Sequence, residues 1–258
     1  MKICIIGSGN VAYHLAKAFK TSGINVDRIY GRNEAALREI SASLDIPFAT
    51  GSLPEAELYI ISVKDDAIAE VSSFIQDKKC LVAHTSGSVP MQSLRGGYRK
   101  AVFYPLQTFS KEKKLSYRDI PFFVEAENEK DEKLLIKLAG QISDKVSLAD
   151  SVQRRYIHLA AVFACNFVNH LFARAKEIAE NHGIAFDNFL PLITETVGKI
   201  YTMDPKEVQT GPAIRGDFSV IAAHRLLLEE QMPQKIFDVM NESIIEMYHP
   251  RKREKSRN

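Results

Sequence analysis

"KICIIGSGNVAYHLAKAF", residues 2–19, decides the fold of this chain. The apolar run KICII (2–6) reads as a buried strand, and Asn10 to Ser22 as a helix that Gly23 would end. Between them, GSGNVA (7–12) has the form G-x-G-x-x-A. Gly7 permits a tight turn, Gly9 lets the backbone approach a pyrophosphate, and Ala12 allows helix to pack closely on strand. The helix N-terminus offers its free N–H groups to the anion. A strand, this loop and a helix in that order are the context in which the motif carries weight. Gly7, Ser8, Gly9, Asn10 and Val11 are therefore expected to hold a dinucleotide.

About 20 residues further on, such a site usually places an Asp or Glu for a ribose hydroxyl. Here the second strand, NVDRIY (25–30), closes instead on GRN. An acid would repel a 2′-phosphate, whereas a guanidinium can pair with it through two hydrogen bonds. Arg32, with uncharged Asn33 beside it, points to NADP rather than NAD.

The rest of the first half continues the alternation. A helix is expected over Glu34 to Leu44, then strands LYIISV (58–63) and CLVAH (80–84) around a helix from Asp66 to Ile75. Strands AVFY (101–104), PFFVEA (121–126) and KVSLA (145–149) follow, with a helix over Glu129 to Ile142. Buried strands separated by helices imply an α/β domain with a mainly parallel sheet. Past residue 150 no β-like run appears. Ser151 is placed to cap a long helix whose apolar stripe runs from Tyr156 through Phe163 and Phe167 to Ile178, and Gly183 stops it. More helices are expected over Phe189–Tyr201, Phe218–Glu230 and Gln234–Tyr248, with TGPAIRGD (210–217) as a loop. The expected organisation is a Rossmann-type domain over 1–150 and an all-helical domain over 151–258. A helix near 30 residues, about 45 Å at 1.5 Å per residue, is long for one small domain. A homodimer through the helical domain is expected.

The composition excludes several classes. The 258 residues carry 34 Lys and Arg against 32 Asp and Glu, a net charge of +2 too small to steer the chain onto nucleic acid. The basic excess sits in the tail, PRKREKSRN, which reads as a solvated terminus. Cys4, Cys80 and Cys165 each sit in an apolar run and read as buried reduced thiols, with no zinc-site spacing and no metal expected. ICII is too short for a signal-peptide core, and no 18 apolar residues run unbroken, so a cytoplasmic protein without a membrane span is expected.

Ligands of open parallel sheets bind beyond the carboxyl ends of the strands. Lys64 and Asp65 follow the strand that Val63 ends, His84, Thr85, Ser86 and Ser88 mark the next, and Tyr104, Gln107 and Thr108 a third. Val63, Lys64 and Ser86 are candidate cofactor contacts. His158, Asn166 and His170 interrupt the apolar helix along an i, i+4 ridge, with Asn169 beside it. Hydride transfer to a carbonyl or imine needs an acid for the developing oxyanion or amine. His158 is the first candidate and His84 the second, because histidines titrate near neutrality. Asn166 and Gln107 would orient the substrate. Thr210 and Arg215 are candidate substrate contacts, and Asp217 is expected to cap the helix that follows.

GSGNVA, YGRN, SVKDDAI (62–68), HTSGSVP (84–90), FYPLQTFS (103–110), HLAAVFACNFVNHL (158–171) and TGPAIRGD together resemble a bacterial family of Rossmann-like NADP oxidoreductases with a C-terminal helical domain of unassigned function. That family is similar to pyrroline-5-carboxylate reductase, ketopantoate reductase and the β-hydroxyacid dehydrogenases. The resemblance implies NADP binding and a helical dimerisation domain, but no substrate. β-Hydroxyacid dehydrogenases use a Lys followed four residues later by an Asn on the matching helix. Here His158 and Val162 stand there, so their catalytic assignment does not transfer. A non-catalytic NADP-binding or sensing protein is the competing expectation.

Overall fold

The computed structural model describes residues 1–250; the basic tail (251–258) lies outside the described residues. The chain divides into two compact units, Met1–Phe167 and a second from Val168 onward. The first holds every strand among the described residues, in the order β1 (Ile3–Ile6), β2 (Arg28–Tyr30), β3 (Phe48–Ala49), β4 (Leu58–Ile61), β5 (Leu81–His84), β6 (Arg99–Pro105), β7 (Phe122–Ala126) and β8 (Val146–Leu148). Its helices are α1 (Asn10–Thr21), α2 (Glu34–Leu44), α3 (Ile68–Ser73), α4 (Glu129–Gly140) and α5 (Ser151–Ala161).

The eight strands form one sheet, ordered β3-β2-β1-β4-β5-β6-β7-β8. Neighbours run parallel except β6 and β7, so the sheet is mainly parallel, as expected. Two-residue alternation splits β1 between the faces. Ile3 and Ile5 join Leu15, Phe19, Leu37 and Ile40 in one core, and Cys4 and Ile6 join Tyr59, Ile61 and Ile68 in the other. Each such buried side chain contributes roughly 1.5–3 kcal/mol, which is why these short strands hold without alternating polar residues. On β6, Val102 and Tyr104 share a face with Met91 and with Ile157 of α5.

Strand order reverses between β1 and β4, which opens the crevice where such sheets bind ligands. The carboxyl ends of β1, β2, β4, β5 and β6 share that edge. They deliver Gly7, Arg32, Val63–Lys64, Thr85–Ser88 and Tyr104–Gln107 to it.

Asp150, not Ser151, caps α5. Its carboxylate accepts from the Val152 and Gln153 N–H groups at 2.8 Å each, and Gln153 Oε1 accepts from the Asp150 N–H at 3.1 Å, a closed capping box. Ser151 is used elsewhere: its hydroxyl donates to Glu125 at 2.8 Å and accepts from the Met91 N–H at 3.1 Å. After Ala161 the helical conformation widens into a π segment, Val162–Phe167, before α6 (Val168–Asn181) begins. Each π turn takes i→i+5 bonds, so the expected i, i+4 ridge from His158 to Asn166 and His170 loses its register. Cys165 lies in this segment and is exposed, against expectation; Cys4 and Cys80 are buried.

The second unit contains α6, α7 (Leu190–Lys199), α8 (Pro212–Arg215), α9 (Phe218–Leu226) and α10 (Gln231–Tyr248). Part of TGPAIRGD is helical rather than loop. Pro212 starts α8 and Gly216, at φ 72°, ends it. Asp217 occupies the position before α9 but makes no side-chain cap; its carboxylate pairs with Arg215 Nε at 2.8 Å. Among the described residues, Ala179 and Ala213 are the only wholly buried apolar side chains of this unit.

Candidate active site

At the end of β1, Gly7 holds φ 139°, a conformation open to glycine, and donates its N–H to the Tyr30 carbonyl at 2.8 Å. A Cβ there would strike the Ser62 carbonyl, lying 2.9 Å from its carbon. Gly9 differs: a Cβ on it would meet nothing within 4 Å. Gly9 keeps open space above the start of α1, which has no acidic residue in its first turn and no side-chain cap. These are the features of an anion site at a helix N-terminus. Asn10 Nδ2 donates to the Phe109 carbonyl at 2.8 Å, and buried His14 bonds Tyr117 Oη and the Ser110 carbonyl at 2.9 Å each. Together these bonds tie the loop after β6 to the phosphate loop and α1.

Arg32 is exposed and forms no ion pair with any described carboxylate. Asn33 caps α2, its Oδ1 accepting from the Ala36 N–H at 3.1 Å. A guanidinium and a second helix N-terminus thus flank one spot at the end of β2. Lys64 is exposed and Val63 half-buried at the end of β4.

The loop after β5 is held by buried polar bonds. Ser86 Oγ accepts from the Ser88 and Val89 N–H groups at 3.0 Å each. The Ser86 N–H donates to His84 Nδ1 at 3.2 Å. Arg154, wholly buried on α5, donates from Nε to the Ser86 carbonyl at 3.1 Å and from Nη2 to the Val89 carbonyl at 2.6 Å. Its Nη1 is paired with Glu125 of β7. Ser86 is therefore turned inward, with its hydroxyl spent on the loop.

His84 is fully buried, and its Nε2 has no hydrogen-bond partner among the described residues. Burial first, then the Arg154 charge, pushes its pKa down to about 3, with the Pro90 carbonyl offsetting part of this. Burial thus favours the neutral ring at His84.

One helical turn past Arg154, His158 meets β6. Its Nδ1 lies 3.0 Å from Tyr104 Oη. Burial pushes the Tyr104 phenol up to about 12, with Arg154 opposing and Asp65 adding slightly. Gly87 fills the remaining gap: a Cβ on it would lie 2.7 Å from His158 Nδ1 and 2.8 Å from Tyr104 Cζ. His158, Tyr104, Gly87, Ser86 and Arg154 thus form one packed group at the sheet edge that carries the phosphate loop.

The other candidates are placed differently. Gln107 is exposed, and its Oε1 accepts from the Thr108 N–H at 2.8 Å. Asn166 is exposed in the π segment. Thr210 and Arg215 belong to the second unit, and Arg215 is paired with Asp217. That unit holds an apolar cleft of about 680 Å³, lined among others by Leu171, Ile178, Phe189, Ile236 and Phe237, which contains none of the expected site residues. Tyr104 stood in the sequence only as part of a strand-end cluster without a role of its own, and Arg154 did not stand out at all. An acid inside the apolar strand FFVEA was the available sign of a buried cation opposite.

Comparison with known proteins agrees with this architecture. Residues 2–87 match a family described as NADP oxidoreductase, coenzyme F420-dependent, and residues 120–244 match a domain of unknown function. None of the curated proteins matches. Among solved structures, an imine reductase from Myxococcus stipitatus in complex with NADP+ is 15% identical, with a TM-score of 0.65 over 96% of this chain and 94% of that one. A protein from Thermotoga maritima is 22% identical, with a TM-score of 0.73 over 96% and 98%. A protein from Bacteroides fragilis, described provisionally as an NADP oxidoreductase, is 41% identical, with a TM-score of 0.89 over 95% of this chain and 98% of its own. Shared residues at that level, over both the phosphate-loop sheet and the helical part, mean that this chain belongs to the same family of NADP-dependent oxidoreductases.

Proposed function

We propose that the chain is an oxidoreductase that moves a hydride between NADP(H) and a small carbonyl or imine compound. One observation carries the reading. A single sheet edge bears both an open, acid-free phosphate loop flanked by Arg32 and a histidine held against a buried tyrosine. When bound, the cofactor would supply the hydride at its nicotinamide ring.

The residues present suit that cofactor. The backbone of Gly7, Ser8, Gly9, Asn10 and Val11 would take the pyrophosphate, and Arg32 with Asn33 the 2′-phosphate. Val63 and Lys64 would flank the nicotinamide ribose. His158 would give its proton to the substrate oxygen or nitrogen as the hydride adds to the neighbouring carbon. Asn166 and Gln107 would orient the substrate. His84 and Ser86 would hold the loop that supports His158 rather than touch substrate.

The test has two parts. NADPH is expected to bind more tightly than NADH, and Arg32→Ala to cost roughly tenfold to a hundredfold in NADPH affinity, the worth of about 1.5–3 kcal/mol for bonds to a charged group. NADPH oxidation would then be screened with keto acids, aldehydes and cyclic imines, with His158→Ala retaining NADPH binding and losing turnover. Equal NADH and NADPH affinities, unchanged by Arg32→Ala, would remove the cofactor preference. NADPH protection without turnover on any substrate would favour a binding or sensing role, which the absent Lys/Asn pair leaves open.

We also propose a homodimer. Tyr156, Leu159, Phe163, Phe167, Leu192 and Leu227 are exposed on a single chain, and the second unit buries almost no apolar side chain by itself. The helical stretch Ser151–Asn181 is in fact long and apolar enough to cross a bilayer by length and composition. Its interruption by His158, Asn166, Asn169 and His170 suits a protein interface better, since polar groups are costly in hydrocarbon. Light scattering at micromolar concentration is expected to give twice the chain mass; a monomer would exclude the dimer.

A further inference from the structure

We propose that Tyr104 is a positioning residue that fixes neutral His158 as the Nε2–H tautomer, so that Nε2–H and not Nδ1–H is the group left to bond a ligand. The proposal rests on the oxidoreductase reading above for its purpose, but on geometry for its substance.

Tyr104 Oη and His158 Nδ1 lie 3.0 Å apart, and either atom can be the donor in a neutral pair. The surroundings decide between the two. Tyr104 is 7% exposed, and among the described residues its hydroxyl has no other hydrogen-bond partner. If His158 Nδ1–H donated, the phenol proton would be left buried without an acceptor. If the phenol donates, only a lone pair goes unused. Unpaired buried donors are the costlier of the two, and under-used oxygens are commoner in folded proteins. Burial also keeps the phenol protonated across the physiological range, so the donor is always present. Nδ1 therefore accepts, and the ring proton sits on Nε2.

Gly87 makes the arrangement rigid. The space in which it could carry a Cβ is already taken by the imidazole and the phenol ring. The Gly87 backbone is pinned on one side by the Arg154 bond to the Ser86 carbonyl and on the other by the Ser88 N–H bond to Ser86 Oγ. Arg154 and His158 are four residues apart, on one face of α5. The turn that clamps the loop is thus followed directly by the turn that presents the histidine. The sense of a histidine's proton is set by whatever its other nitrogen bonds, and here that partner is a tyrosine built into the sheet.

The experiment is a long-range 1H–15N correlation spectrum of protein labelled on its histidine rings, taken at pH 9 where imidazole is neutral. His158 is assigned by the signal lost in His158→Gln. The proton is expected on Nε2 alone in the wild type. Tyr104→Phe is expected to lose that single tautomer and give the mixture of free histidine. Gly87→Ala, which keeps both bonding groups but sets a methyl group against them, is expected to do the same by displacing the rings. An Nδ1–H signal in the wild type would overturn the proposal, as would a single tautomer surviving in Tyr104→Phe. Thermal protection by NADPH is measured on the same samples. Its absence in the wild type would defeat the cofactor reading while the tautomer result stood.

Discussion

Gly7→Ala is expected to lose most of the protein's stability, whereas Gly9→Ala is expected to keep its stability and lose NADPH. At Gly7 the chain holds φ 139°, and a methyl group would collide with the backbone carbonyl of Ser62, just past the end of β4. A glycine-only conformation costs another residue on the order of 1–3 kcal/mol, and overpacking adds about 1–3 kcal/mol. Against a total stability of about 5–15 kcal/mol, the sum is severe. Gly9 has no such neighbours, so a methyl group there meets only open space in the free protein. It would occupy the place where a pyrophosphate must approach the start of α1. Chemical denaturation and NADPH-induced thermal shifts of the two variants separate the roles. A Gly7→Ala protein as stable as wild type would refute the steric argument. NADPH binding undiminished in Gly9→Ala would refute the assignment of this loop.

The same contrast explains what could be read from the chain without its structure. The phosphate loop was legible because its constraints are local: a turn, a close strand, a helix start, all within a dozen residues. Helix α2 was legible to the residue, Glu34–Leu44, since its amphipathic period sets its length. Arg32 stood out because a single position there has a usual occupant. By contrast, Tyr104 and His158 are 54 residues apart, and nothing along the chain ties a strand tyrosine to a helix histidine. His158 was marked as a polar residue in an apolar helix, but its partner depends on how α5 crosses β6 and β7. His84 was marked as a titratable residue at a strand end, and its full burial depends on how α5 and the loop after β5 pack over it. Strand β3 is two residues long, too short to show a period, and the π segment carries no composition of its own.

Arg154 is the clearest case of a residue hidden by base rates. An arginine on an amphipathic helix is normally solvated, yet this one is wholly buried. Glu125→Ala is expected to destabilise the protein by about 3–5 kcal/mol, because it leaves a buried guanidinium without its counter-charge. Ser151 would lose its acceptor in the same step. A pair of apolar replacements, Arg154→Met with Glu125→Leu, is expected to recover much of that loss, since no charge is then left in the interior. Recovery cannot be complete. The carbonyls of Ser86 and Val89 both accept from Arg154 and would be left short of a donor. Denaturation midpoints of the single and double variants, taken as a double-mutant cycle, would measure this directly. If the pair is only a stabilising charge contact, the double variant should keep the His158 tautomer of the wild type. If Arg154 is the clamp of the Ser86–Ser88 loop, the double variant should fold and yet show the mixed tautomer of Gly87→Ala. Stability regained together with a wild-type His158 would reduce Arg154 to an ion pair that happens to lie beneath the site.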